Sequence, residues 1–225
     1  MIKLIKKSIR IILATIKGNK TTHFPLFIAG NSKNEQDLNP YYSEEFAKIL
    51  EIWGETHVWN EIQLLLANCS GKVLDIACGT GIVMKRLEKF ENIEVHGFDI
   101  SDLLIEKAQK KGLKHLSVQD ATKPDYDDLE FDFSYSIGSL EHFTEEGIVA
   151  FLKEASRYTK KASFHMIPVS RTGKNEGWIK TIQTYFNNSE EWWLDKFKAS
   201  FRKVEIVNSS WDDSISFGRW FICYK

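Results

Sequence analysis

Val73-Leu74-Asp75-Ile76-Ala77-Cys78-Gly79-Thr80-Gly81 decides how this chain is read. An apolar run stops at an aspartate, two glycines follow, and Ile82-Val83-Met84-Lys85-Arg86-Leu87 continues with helical spacing. The pattern predicts a buried parallel strand, a tight turn and a helix. Gly79 and Gly81 lack Cβ atoms, so the turn can take unusual φ values and approach a ligand closely. The helix start offers free N–H groups and the positive end of its dipole. In an open α/β sheet, ligands bind outside the carboxyl end of such a strand.

The residues around this turn narrow the ligand. The dinucleotide fingerprint G-x-G-x-x-G is half met: Gly79 and Gly81 fit, but Met84 holds the third place, where it would crowd a pyrophosphate. Asp75 ends the strand, and a carboxylate there repels phosphate and suits a cation. The same strand-then-acid pattern recurs. Ile93-Glu94-Val95-His96-Gly97-Phe98-Asp99 predicts a second strand, with Asp99 18 residues beyond Gly81, about where an acid that binds ribose hydroxyls is expected. Ser101 reads as the N-cap of the next helix, which Gly112 ends. Leu116-Ser117-Val118-Gln119-Asp120-Ala121 predicts a short third strand. Phe131–Ile137 predicts a fourth, running into Gly138-Ser139-Leu140-Glu141-His142-Phe143.

Read as V-L-D-x-x-C-G-T-G, the first stretch resembles the opening motif of the class I S-adenosylmethionine-dependent methyltransferases. Ala77 departs from it, since many members carry a glycine there. S-adenosylmethionine bears a sulfonium and an ammonium and no phosphate, which suits Asp75. The resemblance covers about residues 57–225 and implies a Rossmann-like α/β fold. Its seven-stranded sheet is mostly parallel with the last strand antiparallel, and helices cover both faces. It implies that Asp75 holds the amino-acid end of the cofactor, Asp99 the ribose and Asp120 the adenine amino group. Ala77, Gly79, Gly81, Ile100, Ala121 and Ser136 complete the implied cofactor contacts. The Leu-Glu-His-Phe ending of the fourth motif is similar to small-molecule and ubiquinone-type members. The Asp/Asn-Pro-Pro-Tyr motif of nucleobase amino methylation is absent.

His142 is then the candidate general base, because a free imidazole of pKa about 6.5 suits proton removal near neutral pH. Glu141 is its helper or binds a substrate cation. The competing reading of His142 is a half-buried histidine bonded to backbone. His165 lies mid-strand in Ala162–Val169, where a core role is expected.

Composition bounds the rest. A chain of 225 residues with 43% hydrophobic content and a formal net charge of -1 suits one domain and gives no global reason to bind nucleic acid. Cys69, Cys78 and Cys223 are odd in number and form no CxxC, so neither a disulfide framework nor a metal site is expected, and the chain reads as cytoplasmic.

The first 34 residues hold seven bases and no acid. Residues 2–17 place Ile2, Ile5, Ile9, Ile12, Leu13 and Ile16 on one helical face, with Lys3, Lys6, Lys7, Arg10 and Lys17 opposite. This basic amphipathic pattern fits a peripheral membrane contact, or a helix packed on the domain or on a second copy. Residues 1–40 are thus expected as helix and linker, and 41–225 as the catalytic domain. Tyr41, Tyr42 and Trp59, ahead of the first strand, are candidates to line the substrate pocket. The aromatic insertion 171–200 is expected to cap it. Asn188 and Glu191 there form a candidate capping box for a helix from Ser189 to Ser200. Arg171 is the candidate to hold a substrate anion. The final two strands are expected at Lys203–Val207 and Trp220–Tyr224.

The sequence therefore predicts methyl transfer from S-adenosyl-L-methionine to an oxygen or nitrogen of a small-molecule acceptor. A lipid-linked or envelope-glycan precursor is favoured if residues 2–17 lie on a membrane. Two rivals stand beside it: an NAD-dependent oxidoreductase on a similar sheet, against which Asp75 and Met84 argue, and a non-catalytic cofactor-binding scaffold.

Overall fold

A computed structural model describes residues 35–225 apart from 57–58 and 181–182; side chains are not described at 53–59 and 180. The amphipathic stretch 2–17 and most of the linker lie outside the described residues, as does the Trp59 side chain. Nine strands and six α-helices are described. The chain enters through a 3-10 turn, Asn39–Tyr42, followed by α1 (Glu44–Thr56) and α2 (Trp59–Leu66). Then come β1 (Gly71–Ile76), α3 (Ile82–Leu87), β2 (Ile93–Asp99), α4 (Asp102–Lys110), β3 (Leu116–Val118) and β4 (Phe131–Ile137). A 3-10 turn, Leu140–His142, leads to α5 (Glu145–Tyr158) and β5 (Thr159–Ser170). The hairpin β6 (Trp178–Lys180) and β7 (Thr184–Phe186), α6 (Glu190–Lys198), β8 (Lys203–Asp212) and β9 (Ser216–Tyr224) complete it.

The main sheet has the order β3-β2-β1-β4-β5-β9-β8. Strands β1 to β5 pair in parallel, and β9 inserts antiparallel between β5 and β8. This is the expected architecture. Strand order reverses between β1 and β4, and a crevice opens at such a switch point.

Side chains alternate across the sheet, as the two-residue strand period requires. Leu74, Ile76, Phe98, Phe131, Ile167 and Phe221 face α5 and α6. Val73, Val95, Tyr135, Phe164, Met166 and Trp220 face α2, α3 and α4. Trp220 Nε1 donates to Glu61 Oε2 at 2.6 Å and ties α2 to the sheet. The Ser101 hydroxyl caps α4 by accepting from Leu104 N at 3.2 Å, as expected.

The region 171–200 differs from its expected role. Helix α6 is not a cap. It packs into the core through Trp193 and Phe197, both fully buried, and Phe197 stacks on Phe221 at 4.5 Å. Paired tryptophans diverge as helix geometry demands: Trp193 is buried, and Trp192 lies edge-on to it and stacks on Phe186. The N-cap is Ser189, which accepts from Trp192 N; Asn188 instead accepts from Gly177 N at 2.8 Å to close the hairpin. Among the described residues of this region, the β6–β7 hairpin reaches the site, through Gln183 at Tyr41 and through Thr184 and Tyr185 at His142.

Candidate active site

The glycine turn follows β1 with three residues in the left-handed region: Ala77 at φ +58°, Gly79 at +56° and Gly81 at +69°. The two glycines differ in their surroundings. A Cβ on Gly81 would sit 2.3 Å from Leu113 Cδ1 and 3.1 Å from Ala108 Cβ, so the turn is wedged against α4. Among the described residues a Cβ on Gly79 would meet only Leu50 Cδ1, at 3.4 Å. Ala77 holds a conformation that glycine adopts without cost, which is the physical reason for the glycine common in similar proteins.

Met84 does not crowd the turn. It is fully buried, and its sulfur occupies the space a Cβ on Gly97 would need. The strand glycine therefore supplies the close helix–sheet approach that the third fingerprint glycine gives in dinucleotide folds.

Successive strand ends carry the acids in spatial order. On β1, Asp75 lies beside Tyr135 of β4 across the switch point, and the Tyr135 hydroxyl donates to Asp75 Oδ2 at 2.7 Å. Burial pushes the Asp75 carboxyl up to about 8, opposed by that hydrogen bond. On β2, Asp99 Oδ2 accepts from Gly79 N at 2.9 Å, and Oδ1 accepts from Ser101 N at 3.0 Å. Asp99 thus braces the glycine turn and keeps further acceptor capacity on both oxygens. After β3, Asp120 Oδ1 accepts from the Thr122 N–H and hydroxyl, and its side chain is one-third exposed. Its Oδ2 lies 3.9 Å from Lys123 Nζ.

The segment ahead of β1 closes over this row. The Ser101 hydroxyl donates to the Tyr41 carbonyl at 2.6 Å, and the Tyr42 hydroxyl donates to the Ile100 carbonyl at 3.2 Å. Charge from both Asp99 and Glu141 reaches the Tyr41 phenol, which burial and those charges hold well above the usual tyrosine value. The Tyr41 phenol therefore lies within electrostatic reach of both Asp99 and Glu141. Tyr42 is half exposed on the rim.

Beyond β4, Glu141 is buried and burial pushes its carboxyl up to about 8. Its Oε2 has no hydrogen-bond partner. Oε1 lies 3.8 Å from His142 Nε2. His142 Nδ1 lies 2.9 Å from the Thr184 carbonyl. A carbonyl only accepts, so Nδ1 carries the proton and Nε2 the lone pair. Burial lowers the ring to about 4. The expectation of a base near 6.5 is corrected accordingly: His142 is a neutral, backbone-anchored acceptor that holds a proton poorly.

Two other expectations are also corrected, those for Ser136 and Arg171. Ser136 turns toward α5 and α6, where its hydroxyl meets His165 Nδ1 at 2.8 Å. It belongs to a buried polar chain that continues through Ser163 and Ser134 to Thr159. This chain is the core role expected for His165, whose ring packs on Phe197 at 5.3 Å. Ala121 is buried in the same core layer. Arg171 is spent on the β8–β9 turn: it donates to the Asp213 and Ser216 carbonyls and pairs with Asp212, which leaves little for a substrate anion.

Sequence reasoning missed Tyr135, Thr184 and Tyr185. Tyr135 was detectable as a tyrosine on the strand that flanks the switch point; the other two depend on where the hairpin folds back. Glu94, His96 and His115 also come within 4.8 Å of one another, which the expectation of no metal site did not foresee. A 2.5 Å Glu94–His96 hydrogen bond and a 4.5 Å His96–His115 ring contact bring the three together. A shallow depression lined by Gly71, Lys72, Asn92, Glu94 and Asp132 lies at the amino ends of the strands, at the opposite end of the sheet from Asp75, Asp99 and Asp120.

Comparison with known proteins agrees with this geometry. Residues 73–162 match the family described as a methyltransferase domain, which covers β1 to the start of β5. No curated protein matches. Among solved structures, one chain of the complex between the Haloferax volcanii Trm112 methyltransferase activator and a methyltransferase superposes with a TM-score of 0.65. It is 15% identical, over 84% of this chain and 98% of that one. A Thermotoga maritima S-adenosylmethionine-dependent methyltransferase, described as a possible histamine N-methyltransferase, gives 0.61 at 19% identity, over 84% and 100%. The [4+2]-cyclase SpnF gives 0.53 at 19% identity, over 88% and 70%. Residues 73–162 thus carry a match to a methyltransferase domain, and the sheet is the fold seen in S-adenosylmethionine-dependent methyltransferases. Likeness at these identities carries the fold, and the acceptor must be argued from the site.

Proposed function

We propose that this chain moves the methyl group of S-adenosylmethionine to an oxygen or nitrogen of a small molecule. The row of acids at the switch point carries the reading: Asp75 with Tyr135, Asp99 against Gly79, and Asp120 beyond β3. Asp99 would hold the ribose hydroxyls, Asp120 the adenine amino group and Asp75 the cationic amino-acid end. The space beside Gly79 would hold a group pressed against the turn. The bound cofactor supplies an electrophilic methyl on a sulfonium. The chain aligns the acceptor with it, excludes water and manages one proton. Orientation of this kind can supply about 7–11 kcal/mol.

The cyclase among the similar structures makes a direct test necessary. Calorimetric titration with S-adenosylhomocysteine should give micromolar binding, with none for NAD in parallel. Asp99→Ala should weaken it at least tenfold. Tight NAD binding, or full affinity in Asp99→Ala, overturns the reading.

Residues 2–17 favour an acceptor met at a membrane surface. No helix among the described residues is long and apolar enough to cross a membrane. In vesicle sedimentation the full chain should pellet with anionic vesicles, and a chain starting at Asn39 should not. Equal partitioning removes that part of the proposal.

A further inference from the structure

We propose that the acceptor is an amine that enters as an ammonium ion, and that Glu141, rather than His142, takes its proton. This deepens the methyltransferase reading and rests on it.

Glu141 is 4% exposed and ends in an oxygen with no partner. A buried carboxyl oxygen without a donor is costly, and proteins rarely keep one without use. Among the described residues its one ion-pair contact is His142, whose ring burial keeps neutral. No lysine or arginine among them makes such a contact. The complementary charge is therefore missing from this corner, at the carboxyl end of β4 where a ligand is expected.

The acceptor atoms present match an ammonium better than a hydroxyl. Glu141 offers the free Oε2, and Oε1, on the His142 side, keeps lone-pair capacity while the carboxyl also accepts from its own backbone N–H. His142 adds the Nε2 lone pair, because its Nδ1–H is bound to Thr184. An ammonium has three N–H donors for these three acceptors, whereas a hydroxyl has one and would leave carboxylate capacity unmet. Two phenol rings stand by. Charge from Glu141 reaches both Tyr41 and Tyr185, and Tyr185 meets the His142 ring edge-on at 6.2 Å. Aromatic rings around a cation add to its binding.

The proton balance follows. An ammonium gives one proton to Glu141 Oε2 and becomes a neutral amine with a lone pair. That pair forms the new N–C bond while the methyl carbon–sulfur bond breaks and its electrons stay on sulfur. The product leaves as the methylated ammonium, and Glu141 returns its proton to solvent. Burial, by raising Glu141 to about 8, brings it toward an alkylammonium of about 10.4, so the transfer is less uphill than to an ordinary carboxylate. His142 cannot replace it, since its ring is pushed the other way.

The experiment uses matched pairs that differ only in the reacting group: benzylamine with benzyl alcohol, phenethylamine with 2-phenylethanol, and tryptamine with tryptophol. Each is titrated into the full chain saturated with S-adenosylhomocysteine, and methyl transfer is followed separately by release of that product. At least one amine should bind tenfold or more tighter than its alcohol. Glu141→Gln should erase that preference while S-adenosylhomocysteine binds within threefold of wild type. Glu141→Asp, which keeps the charge, should retain part of the preference, so a fold defect in one variant does not decide the matter. Amine affinity in wild type should also rise with pH as Glu141 ionises, with His142, Tyr41 and Tyr185 as the other titratable groups facing it; in Glu141→Gln it should not. Equal binding of amines and alcohols, preference for alcohols, or no binding of any pair by a protein that holds S-adenosylhomocysteine overturns the proposal. Failure to bind S-adenosylhomocysteine at all sinks the methyltransferase reading instead.

Discussion

Replacing Glu141 by Gln should make the ligand-free protein more stable at high pH and change little at low pH. The carboxyl titrates at 4.5 in ordinary surroundings and at about 8 in the fold, because burial penalises its charge. Between those values the unfolded chain has lost a proton that the folded chain keeps. Stability therefore falls as pH rises through this window, by up to about 1.4 kcal/mol per pH unit. The contribution is full below 4.5 and gone above 8. The ceiling is about 5 kcal/mol, and relaxation of a charged site makes a difference of about 2–4 kcal/mol at pH 9 the expected value. Glutamine has the same shape and no charge to bury. Urea unfolding of wild type and Glu141→Gln at pH 5, 7 and 9 measures the effect. The difference between the two proteins should grow in favour of the variant as pH rises. Asp75, also raised to about 8, is common to both and cancels in the difference. A difference that does not change with pH refutes the reasoning and means that Glu141 is solvated or already paired.

Three further outcomes follow from the glycine turn. Ala77→Gly should raise stability by about 1 kcal/mol, since alanine is held at φ +58°; for a domain of this size that is about 2–4 °C in Tm by thermal denaturation. Gly81→Ala should cost about 1–3 kcal/mol, because its Cβ would strike Leu113 and Ala108. Gly79→Ala should melt nearer to wild type yet bind S-adenosylhomocysteine at least tenfold more weakly by calorimetry, because its Cβ would point into the space proposed for the ligand.

Much of the glycine turn and its row of acids was legible in the chain because it is built from local signals. Strand, acid, glycine turn and helix lie within a dozen residues at β1, and β2 repeats the strand and acid. Parallel pairing then sets the strand ends side by side. Asp75, Asp99, Gly79, Gly81 and the Ser101 cap were readable for that reason. The aromatic segment 171–200 was misread because periodicity cannot name the partner of an apolar face: Trp193 and Phe197 belong to the core under β9, where a lid was expected. Arg171 was misread because its partners, Asp212, Asp213 and Ser216, are some forty residues away.

The Glu141–His142 corner was decided by tertiary structure. In the sequence, His142 is an imidazole of ordinary pKa and Glu141 a polar neighbour. Folding buries both, and burial moves them in opposite directions, lowering the cationic acid and raising the anionic one. Thr184 then fixes the histidine tautomer from a hairpin 42 residues along the chain. By itself the sequence determined the fold class and which strand ends carry acids, because both follow from short-range pattern. Which of two adjacent residues can keep a proton depends on what the rest of the chain packs around them.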